Sequence, residues 1–334
     1  MTDHSLISRV APIEAGAHVV AAAFLADAPA LALADGAALL GAPQAPRRIA
    51  LHPEATLLVA AHDARRLVAG GDDGRVVALS ADGATTLLGD EKGRWIDAVA
   101  LRADGATAWS AQREVRARDA AGATRSWTAP SSVRGLAFLP KGYRLAAAHY
   151  NGVSLWFPNV AGPPEALVWK GSHLDCAVSP DGRFVVTSMQ ENALHGWRLA
   201  DRKDMRMTGY PSKTRSFSWS HDGNWLATSG ADAAIVWPFR DKDGPMGKAP
   251  SECGARPAKV STVAFHPGAL VLAIGYEDGW IILSRLTDAS ELPVRAPAQE
   301  NRAGAITALA WDAKGRRLLF GAADGAAGLL TLPD

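Results

Sequence analysis

Several features that would place the chain in a familiar class are missing from its sequence. Only two cysteines occur, Cys176 and Cys253, which excludes a disulfide framework and a CxxC metal knuckle. No apolar run approaches the roughly 18 residues that a membrane-spanning helix requires. Lysine plus arginine number 35 and aspartate plus glutamate number 34, so net charge gives no general attraction to nucleic acid or to membranes.

These absences lead to several expectations. The N-terminus, MTDHSLISRV, has no apolar segment of the kind found in signal peptides, so we expect a cytoplasmic protein with reduced thiols. The abundance of alanine and the preference for arginine over lysine are typical of GC-rich bacterial genomes. We further expect a monomer that binds neither nucleic acid nor a membrane.

Catalytic and cofactor-binding signatures are missing as well. The sequence contains no GxSxG, no HExxH, no GxxxxGK[ST], and no GxGxxG opening a helix. The nine histidines are scattered, and no local spacing among them suggests a metal site, although a fold could still bring distant ones together. We therefore predict no catalytic residues, no metal site and no cofactor.

What the sequence does contain is an internal repeat of about 40 residues. Eight copies align on one turn residue, and seven of the eight residues at that position are Asp or Asn. In five copies the next residue is Gly, which suits the tight turn of a hairpin because these residues tolerate positive φ. The aligned positions are Asp35, Asp73, Arg113, Asn151, Asn192, Asp232, Asp278 and Asp324. The aspartates are interpreted as turn formers rather than as a ring of functional carboxylates.

Each copy also has a second turn upstream, as in SPDG (179–182) and SHDG (220–223). An apolar strand precedes that turn, and a weaker fourth strand follows the second hairpin. Four short antiparallel strands per unit of this length describe one blade of a β-propeller.

The repeat resembles that of the WD-repeat family. SPDG, a strand, a turn Asp or Asn, and a strand ending in Trp is the family pattern, and Trp156, Trp197 and Trp237 each lie five residues after their turn residue. The departures are that none of these tryptophans is followed by Asp and that the Gly-His pair before the first strand is reduced to GSH at 171–173. The resemblance implies an all-β, closed β-propeller of four-stranded antiparallel blades.

Eight first strands predict eight blades, or seven if the weak first copy (18–51) does not form one. Only one further strand follows Asp324, so we expect residues 5–13 to supply the missing outer strand and to close the ring. The whole chain, 1–334, is predicted to be one domain. A polar, Gly- and Pro-rich insertion at 239–259 lengthens the connection between the sixth and seventh copies.

In WD-repeat propellers, the residues that lead into the first strands form the rim of the central channel on the top face, where the family binds peptides. The resemblance therefore implies a partner-binding rim. The residues at or near those positions are Arg94, Trp95, Asp97, Arg134, Lys213, Arg215, Lys259 and Arg302. Arginine suits such a rim because it holds a carboxylate or phosphate with two parallel hydrogen bonds. Trp95 is either an exposed binding residue or a staple that covers the junction between blades.

The resulting hypothesis is a non-catalytic scaffold that engages a protein or peptide at its top rim. One alternative is a propeller enzyme, a metal-dependent hydrolase or lyase, which would need several carboxylates or histidines converging on one point. Another is an accessory protein for a metal-handling or signalling partner.

Overall fold

The computed structural model describes residues 5–297 and 303–333. It divides the chain into two compact units. The first unit holds residues 5–53, 81–83 and the described residues from Arg215 onward, and the second holds Glu54–Ser80 and Ala84–Thr214. Apart from one 3-10 helix, Ile7–Arg9, every regular element is a β-strand, so the predicted all-β class is confirmed. No helix in the described ranges could span a bilayer.

The strands are short and follow the repeat. The strands of the N-terminal segment and the first copy are β1 (Val10–Glu14), β2 (Val19–Leu25), β3 (Ala28–Leu33), β4 (Ala37–Leu40) and β5 (Arg47–Ala50). Those of the second and third copies are β6 (Leu57–His62), β7 (Arg66–Gly71), β8 (Arg75–Ser80), β9 (Thr85–Asp90), β10 (Ala98–Leu101), β11 (Thr107–Ala111), β12 (Glu114–Arg118) and β13 (Thr124–Thr128).

The remaining copies continue the pattern. The fourth and fifth contain β14 (Gly135–Phe138), β15 (Leu145–Trp156), β16 (Glu165–Val178), β17 (Phe184–Met189), β18 (Leu194–Arg198) and β19 (Asp204–Met207). The last three contain β20 (Phe217–Trp219), β21 (Trp225–Thr228), β22 (Ala234–Pro238), β23 (Ser251–Cys253), β24 (Val260–Phe265), β25 (Val271–Tyr276), β26 (Ile281–Arg285), β27 (Glu291–Arg295), β28 (Ile306–Trp311), β29 (Arg317–Ala322) and β30 (Ala326–Thr331).

The described strands form seven hydrogen-bonded antiparallel sheets, six of four strands and one of six. Seven is the alternative number, and the preferred count of eight blades is corrected. The reason is β16, which runs without interruption from the fourth copy into the fifth. Its first half pairs with β15 and its second half pairs with β17. The sequence of β16 contains no Pro and no Asp-Gly or Asn-Gly turn, so nothing in it ends the strand.

The N-terminal strand completes the sheet of the eighth copy. β1 pairs antiparallel with β30, with Val10 opposite Leu330 and Glu14 opposite Ala326. The sheet order is therefore β1-β30-β29-β28, which covers an edge of β30 that would otherwise be unpaired. The expected closing segment, 5–13, is shifted slightly, because the described strand covers 10–14. Ser251–Cys253 of the 239–259 segment form the outer strand β23.

The turn interpretation of the aligned aspartates is confirmed at four positions. Asp35, Asp73, Asp278 and Asp324 each accept a hydrogen bond from the backbone N–H two residues later, over 2.9–3.3 Å. Asn151 and Asn192 have φ of 68° and 52°, the left-handed values that such turns require. The four aspartate carboxylates therefore stabilise the turns in which they stand.

Neighbouring sheets approach each other through a glycine and a β-branched side chain. A Cβ at Gly70, Gly275 or Gly321 would lie 2.4–2.6 Å from a carbon of Ile96, Ile306 or Val19, respectively. All three β-branched residues are fully buried; Val19 and Ile306 begin first strands, and Ile96 lies two residues before one. In the first unit β24 contacts β20 and β28, and β28 contacts β2; in the second unit β10 contacts β6 and β14. Each unit is thus an arc of blades with consecutive first strands side by side.

Candidate functional site

The structure describes seven of the eight residues predicted for the partner-binding rim; Arg302 lies outside the described residues. Each of the seven stands in a loop that leads into a first strand. Those in the second unit are Arg94, Trp95, Asp97, Arg134 and Lys213, and those in the first unit are Arg215 and Lys259. The second-unit residues make more side-chain contacts and are described first.

Trp95 is exposed on a loop that is itself well held. Its relative exposure is 63%, so the interpretation as a staple that covers a blade junction is not supported. The loop between β9 and β10 is fixed by backbone hydrogen bonds from Glu91 N to Gly74 O (2.8 Å) and from Ile96 N to Gly71 O (3.2 Å). A large aromatic side chain is therefore presented to solvent by a pre-organised backbone.

The side chain of Glu91 stabilises this loop from within the protein. Its carboxylate is buried, at 5% exposure, and accepts hydrogen bonds from Trp109 Nε1 (2.9 Å) and Arg94 Nη2 (2.7 Å). Arg116 adds a second guanidinium, with Nε 3.3 Å from Glu91 Oε1. A buried carboxylate needs such partners because burying an unpaired charge is strongly unfavourable. Arg94, expected on the rim, thus contributes to the support of the Trp95 loop.

Asp97 and Arg134 link the loops of the third and fourth copies. Asp97 Oδ2 accepts a hydrogen bond from the backbone N–H of Gln112 (2.7 Å), and its Oδ1 lies 3.9 Å from Arg134 Nη1. The Arg134 side chain is 63% exposed, whereas that of Asp97 is 17% exposed. Asp97 mainly stabilises the backbone at Gln112, and the exposed Arg134 side chain remains accessible to a partner.

Tyr150 extends this surface and was missed by the sequence prediction. It is 54% exposed, and its backbone N–H donates to Ser131 Oγ (2.9 Å) in the loop that carries Arg134. A signal was present, because Tyr150 stands directly before the aligned turn residue of the fourth copy. The other seven copies have Ala, Asp, Gln, Glu, Ala, Glu and Ala at that position.

We call Trp95, Asp97, Arg134 and Tyr150 the Trp95–Tyr150 surface. Tyrosine, tryptophan and arginine are the residue types that carry most binding energy at protein interfaces. Here two aromatic rings supply apolar area and one guanidinium supplies hydrogen-bond donors, on loops that need little ordering on binding. Such a surface is suited to binding a partner.

The other predicted basic residues lie on the loops before β20 and β24. Lys213 is half-buried, and Arg215 and Lys259 are exposed. The backbone N–H of Arg215 donates to Ser229 Oγ (3.1 Å), and the carbonyl of Lys259 accepts from Glu277 N (2.9 Å). Their backbones are therefore fixed while the Arg215 and Lys259 side chains face solvent.

Two histidines of the fifth copy lie in an aromatic cluster. His173 Nδ1 lies 2.7 Å from Thr187 Oγ1, and the His195 ring stacks on Trp169 with centroids 4.0 Å apart. His195 is fully buried, and neither of its ring nitrogens has a hydrogen-bond partner among the described residues; Asp204 Oδ2 is 3.6 Å from Nε2. Burial lowers the pKa of His195 to about 4, so the ring is neutral at physiological pH.

This cluster does not form a metal centre. Within residues 5–297 and 303–333, no three His, Cys, Asp or Glu side chains lie close enough together to hold an ion.

Asp175, in β16, is a carboxyl with a raised pKa. Burial raises its pKa to about 6. Its only hydrogen bond within the described structure is from the adjacent Cys176 N–H (2.8 Å).

Comparison with known proteins agrees with the architecture. Residues 204–237, from β19 to β22, match the family model for the WD domain, G-beta repeat. Among solved structures, the crystal structure of the computationally designed Ika8 protein is similar, with a TM-score of 0.78 at 17% identity. The alignment covers 96% of this chain and 98% of that one, and at this identity it demonstrates a shared fold only. No curated protein matches the sequence significantly.

Proposed function

We propose that the chain, a β-propeller with a WD-type repeat at 204–237, is a non-catalytic scaffold that binds a protein or peptide partner at its top rim. The Trp95–Tyr150 surface forms the centre of the binding site. Lys213, in the same unit, is a further basic residue of this kind. Arg215 and Lys259 stand on first-unit loops that lead into β20 and β24, and we propose them as basic binding residues there. Arg302, also predicted for the rim, lies outside the described residues. The family as a whole supports a role in protein interaction, and the particular site is proposed from the geometry.

One observation carries the proposal, namely the exposed indole of Trp95. Covering a side chain of that size in a complex yields a large hydrophobic gain. The chain also commits the buried Glu91 and two arginines to the loop that displays it. Rigid presentation reduces the entropy lost on binding, which is the usual advantage of a preformed site.

The composition of the surface indicates the partner chemistry. Trp95 and Tyr150 favour an apolar or aromatic side chain, and Arg134 favours a carboxylate or phosphate beside it. Since Asp97 lies 3.9 Å from Arg134, an incoming anion competes only with a long contact. We therefore expect a partner segment with an apolar anchor next to an acidic group.

The test is capture of partners from lysate of the native organism, using wild type and Trp95→Ala, with mass spectrometry of what co-purifies. Leu87→Ala is the matched control, because Leu87 is 56% exposed on the outer strand β9 of the same unit. A protein retained by wild type and Leu87→Ala but lost by folded Trp95→Ala supports the proposal.

A second variant, Arg134→Glu with Arg215→Glu, tests the basic part of the rim. Loss of the same partner in this variant would place the basic residues in the interface. A partner retained by Trp95→Ala and by the double variant would contradict binding at the rim.

A further inference from the structure

A cleft in the first unit lies apart from the proposed rim. It has a volume of about 450 Å³, within the range of small-ligand sites. One wall is the outer strand β23 with the residues that follow it, and the other is the end of β26 with the turn to β27. Trp225, Leu270 and Leu286 provide apolar lining.

The wall at β23 is fixed by its neighbours. Glu291 Oε1 accepts a hydrogen bond from the backbone N–H of Gly254 (3.1 Å), and the Tyr276 hydroxyl donates to the Gly254 carbonyl. Gly254 is buried with φ of 66°, and a Cβ there would lie 2.8 Å from methyl carbons of Ile274 and Ile282. The cleft therefore exists before any ligand arrives.

The lining carries a negative charge. Glu252 and Glu291 contribute carboxylates, and the one basic lining residue, Arg285, places Nη1 3.1 Å from Asp288 Oδ2. The negative charge of Glu291 acts on nearby groups. The pKa values of Cys253 and Tyr276 are both raised, mainly by burial and secondly by the charge of Glu291. The backbone bond uses Oε1 of Glu291, so Oε2 has no partner among the hydrogen bonds that hold this wall.

We propose that this cleft binds the basic side chain, lysine or arginine, of a peptide segment that lies beside β23. The alkyl stem packs on Leu270 and Leu286, the cationic head meets Glu291 and Glu252, and the Trp225 ring adds a face that attracts cations. β23 supports a peptide at this position because, among the described strands, it is the last in its sheet and pairs with β22 alone. The site is independent of the Trp95–Tyr150 surface.

The first test is titration of a blocked Gly-Val-Lys-Val-Gly peptide into the full chain, followed by amide chemical shifts. A peptide with norleucine in place of lysine tests whether binding depends on the positive charge of the lysine side chain. We expect saturable shifts of Cys253, Gly254 and Glu291 with the lysine peptide, and at least tenfold weaker binding of the norleucine peptide. Equal binding of both peptides would overturn the proposal.

Variants locate the site. Glu291→Gln keeps an oxygen for the Gly254 N–H while it removes the charge, and we expect about tenfold weaker binding, as for loss of one charge-assisted contact. Glu277→Gln is the matched control, since Glu277 is exposed in the same unit and does not line the cleft. Unchanged affinity in both Glu291→Gln and Glu252→Gln would also overturn the proposal.

Cys253 provides a second readout that does not depend on affinity. It lines the cleft and is partly exposed, whereas the other cysteine, Cys176, is buried. Saturating lysine peptide should slow alkylation of Cys253 by iodoacetamide several-fold, and an unchanged rate would count against occupancy of the cleft. Trp95→Ala should leave this protection intact, so that failure here and failure of the rim proposal are distinguishable.

Discussion

Glu91 and Glu291 are both glutamates that hold a loop, yet their surroundings leave them with different capacities. Glu91 is buried and surrounded by an indole N–H and two guanidinium groups. Glu291 is exposed to the cleft and accepts one backbone N–H, and no arginine of the described residues pairs with it. A carboxylate whose hydrogen-bonding capacity is filled by its own fold, as at Glu91, supports structure. One that is only oriented by the fold remains available to a ligand.

The largest expected effect comes from breaking the Glu91 cluster. Glu91→Ala removes the shared partner of Arg94, Arg116 and Trp109, so we expect the free energy of unfolding to fall by about 3 kcal/mol or more. Urea denaturation measures this. Glu114→Ala is the comparison, because Glu114 also contacts Arg116 but is partly exposed, and it should lose about 1 kcal/mol or less. Equal losses in the two variants would mean that burial is not what makes Glu91 important.

Variants of Trp95 and Glu91 distinguish the residue that contacts the partner from the residue that holds the loop. We expect Trp95→Ala to weaken partner binding by about 100-fold, as at an interface hot spot, with a stability change within about 0.5 kcal/mol. Glu91→Gln should weaken both binding and stability, because the loop loses its anchor. Binding would be measured by titration of the captured partner. A Trp95→Ala variant that unfolds more readily but binds normally would reverse these assignments.

His195 offers a buried titratable group without the partners that Glu91 has. Its pKa is lowered to about 4 in the folded state from 6.5, so below pH 6.5 the unfolded state takes up a proton that the folded state refuses. Between pH 7 and pH 5 this should remove about 2 kcal/mol of stability.

The effect must be measured as a difference between wild type and His195→Phe, because the raised pKa of Asp175 acts in the opposite direction. The folded state binds a proton at Asp175 more readily than the unfolded state, so that group adds stability as pH falls toward 4. Taking the difference cancels Asp175. If the difference in unfolding free energy is the same at pH 7 and pH 5, His195 does not titrate as its burial implies.

The smallest effect completes the comparison at Glu291. Glu291→Gln should change the free energy of unfolding by less than about 0.5 kcal/mol, as expected for an exposed substitution that keeps its hydrogen bond. Removal of its negative charge lowers the pKa of Cys253, so the alkylation rate of that thiol at pH 8 should rise several-fold. A large loss of stability together with an unchanged thiol rate would make Glu291 a structural residue like Glu91.

The repeat alignment placed seven of the eight predicted rim residues correctly on loops that lead into first strands, and their role in partner binding stays a prediction. Tyr150 was missed because the repeat alignment treats its position as part of a turn and says nothing about side-chain exposure. Arg94 was predicted for the rim, and the structure adds a second role, because its guanidinium group bonds to Glu91. Its role depends on Trp109 and Arg116, which lie on other strands and cannot be placed from local sequence. The cleft was unforeseen for the same reason, because its walls come from two different copies.

By itself, the sequence determined the repeated hairpins and the all-β class. Asp-Gly, Asn-Gly and SPDG-type turns are set by φ preferences and by hydrogen bonds within a few residues, as at Asp35 and Asp324. The tertiary structure alone decided that copies four and five share β16, that Glu91 is buried beneath Trp95, and that Glu291 faces a cleft. Each of these depends on which residues from separate strands come into contact, and burial and pairing energies belong to that arrangement rather than to any stretch of chain.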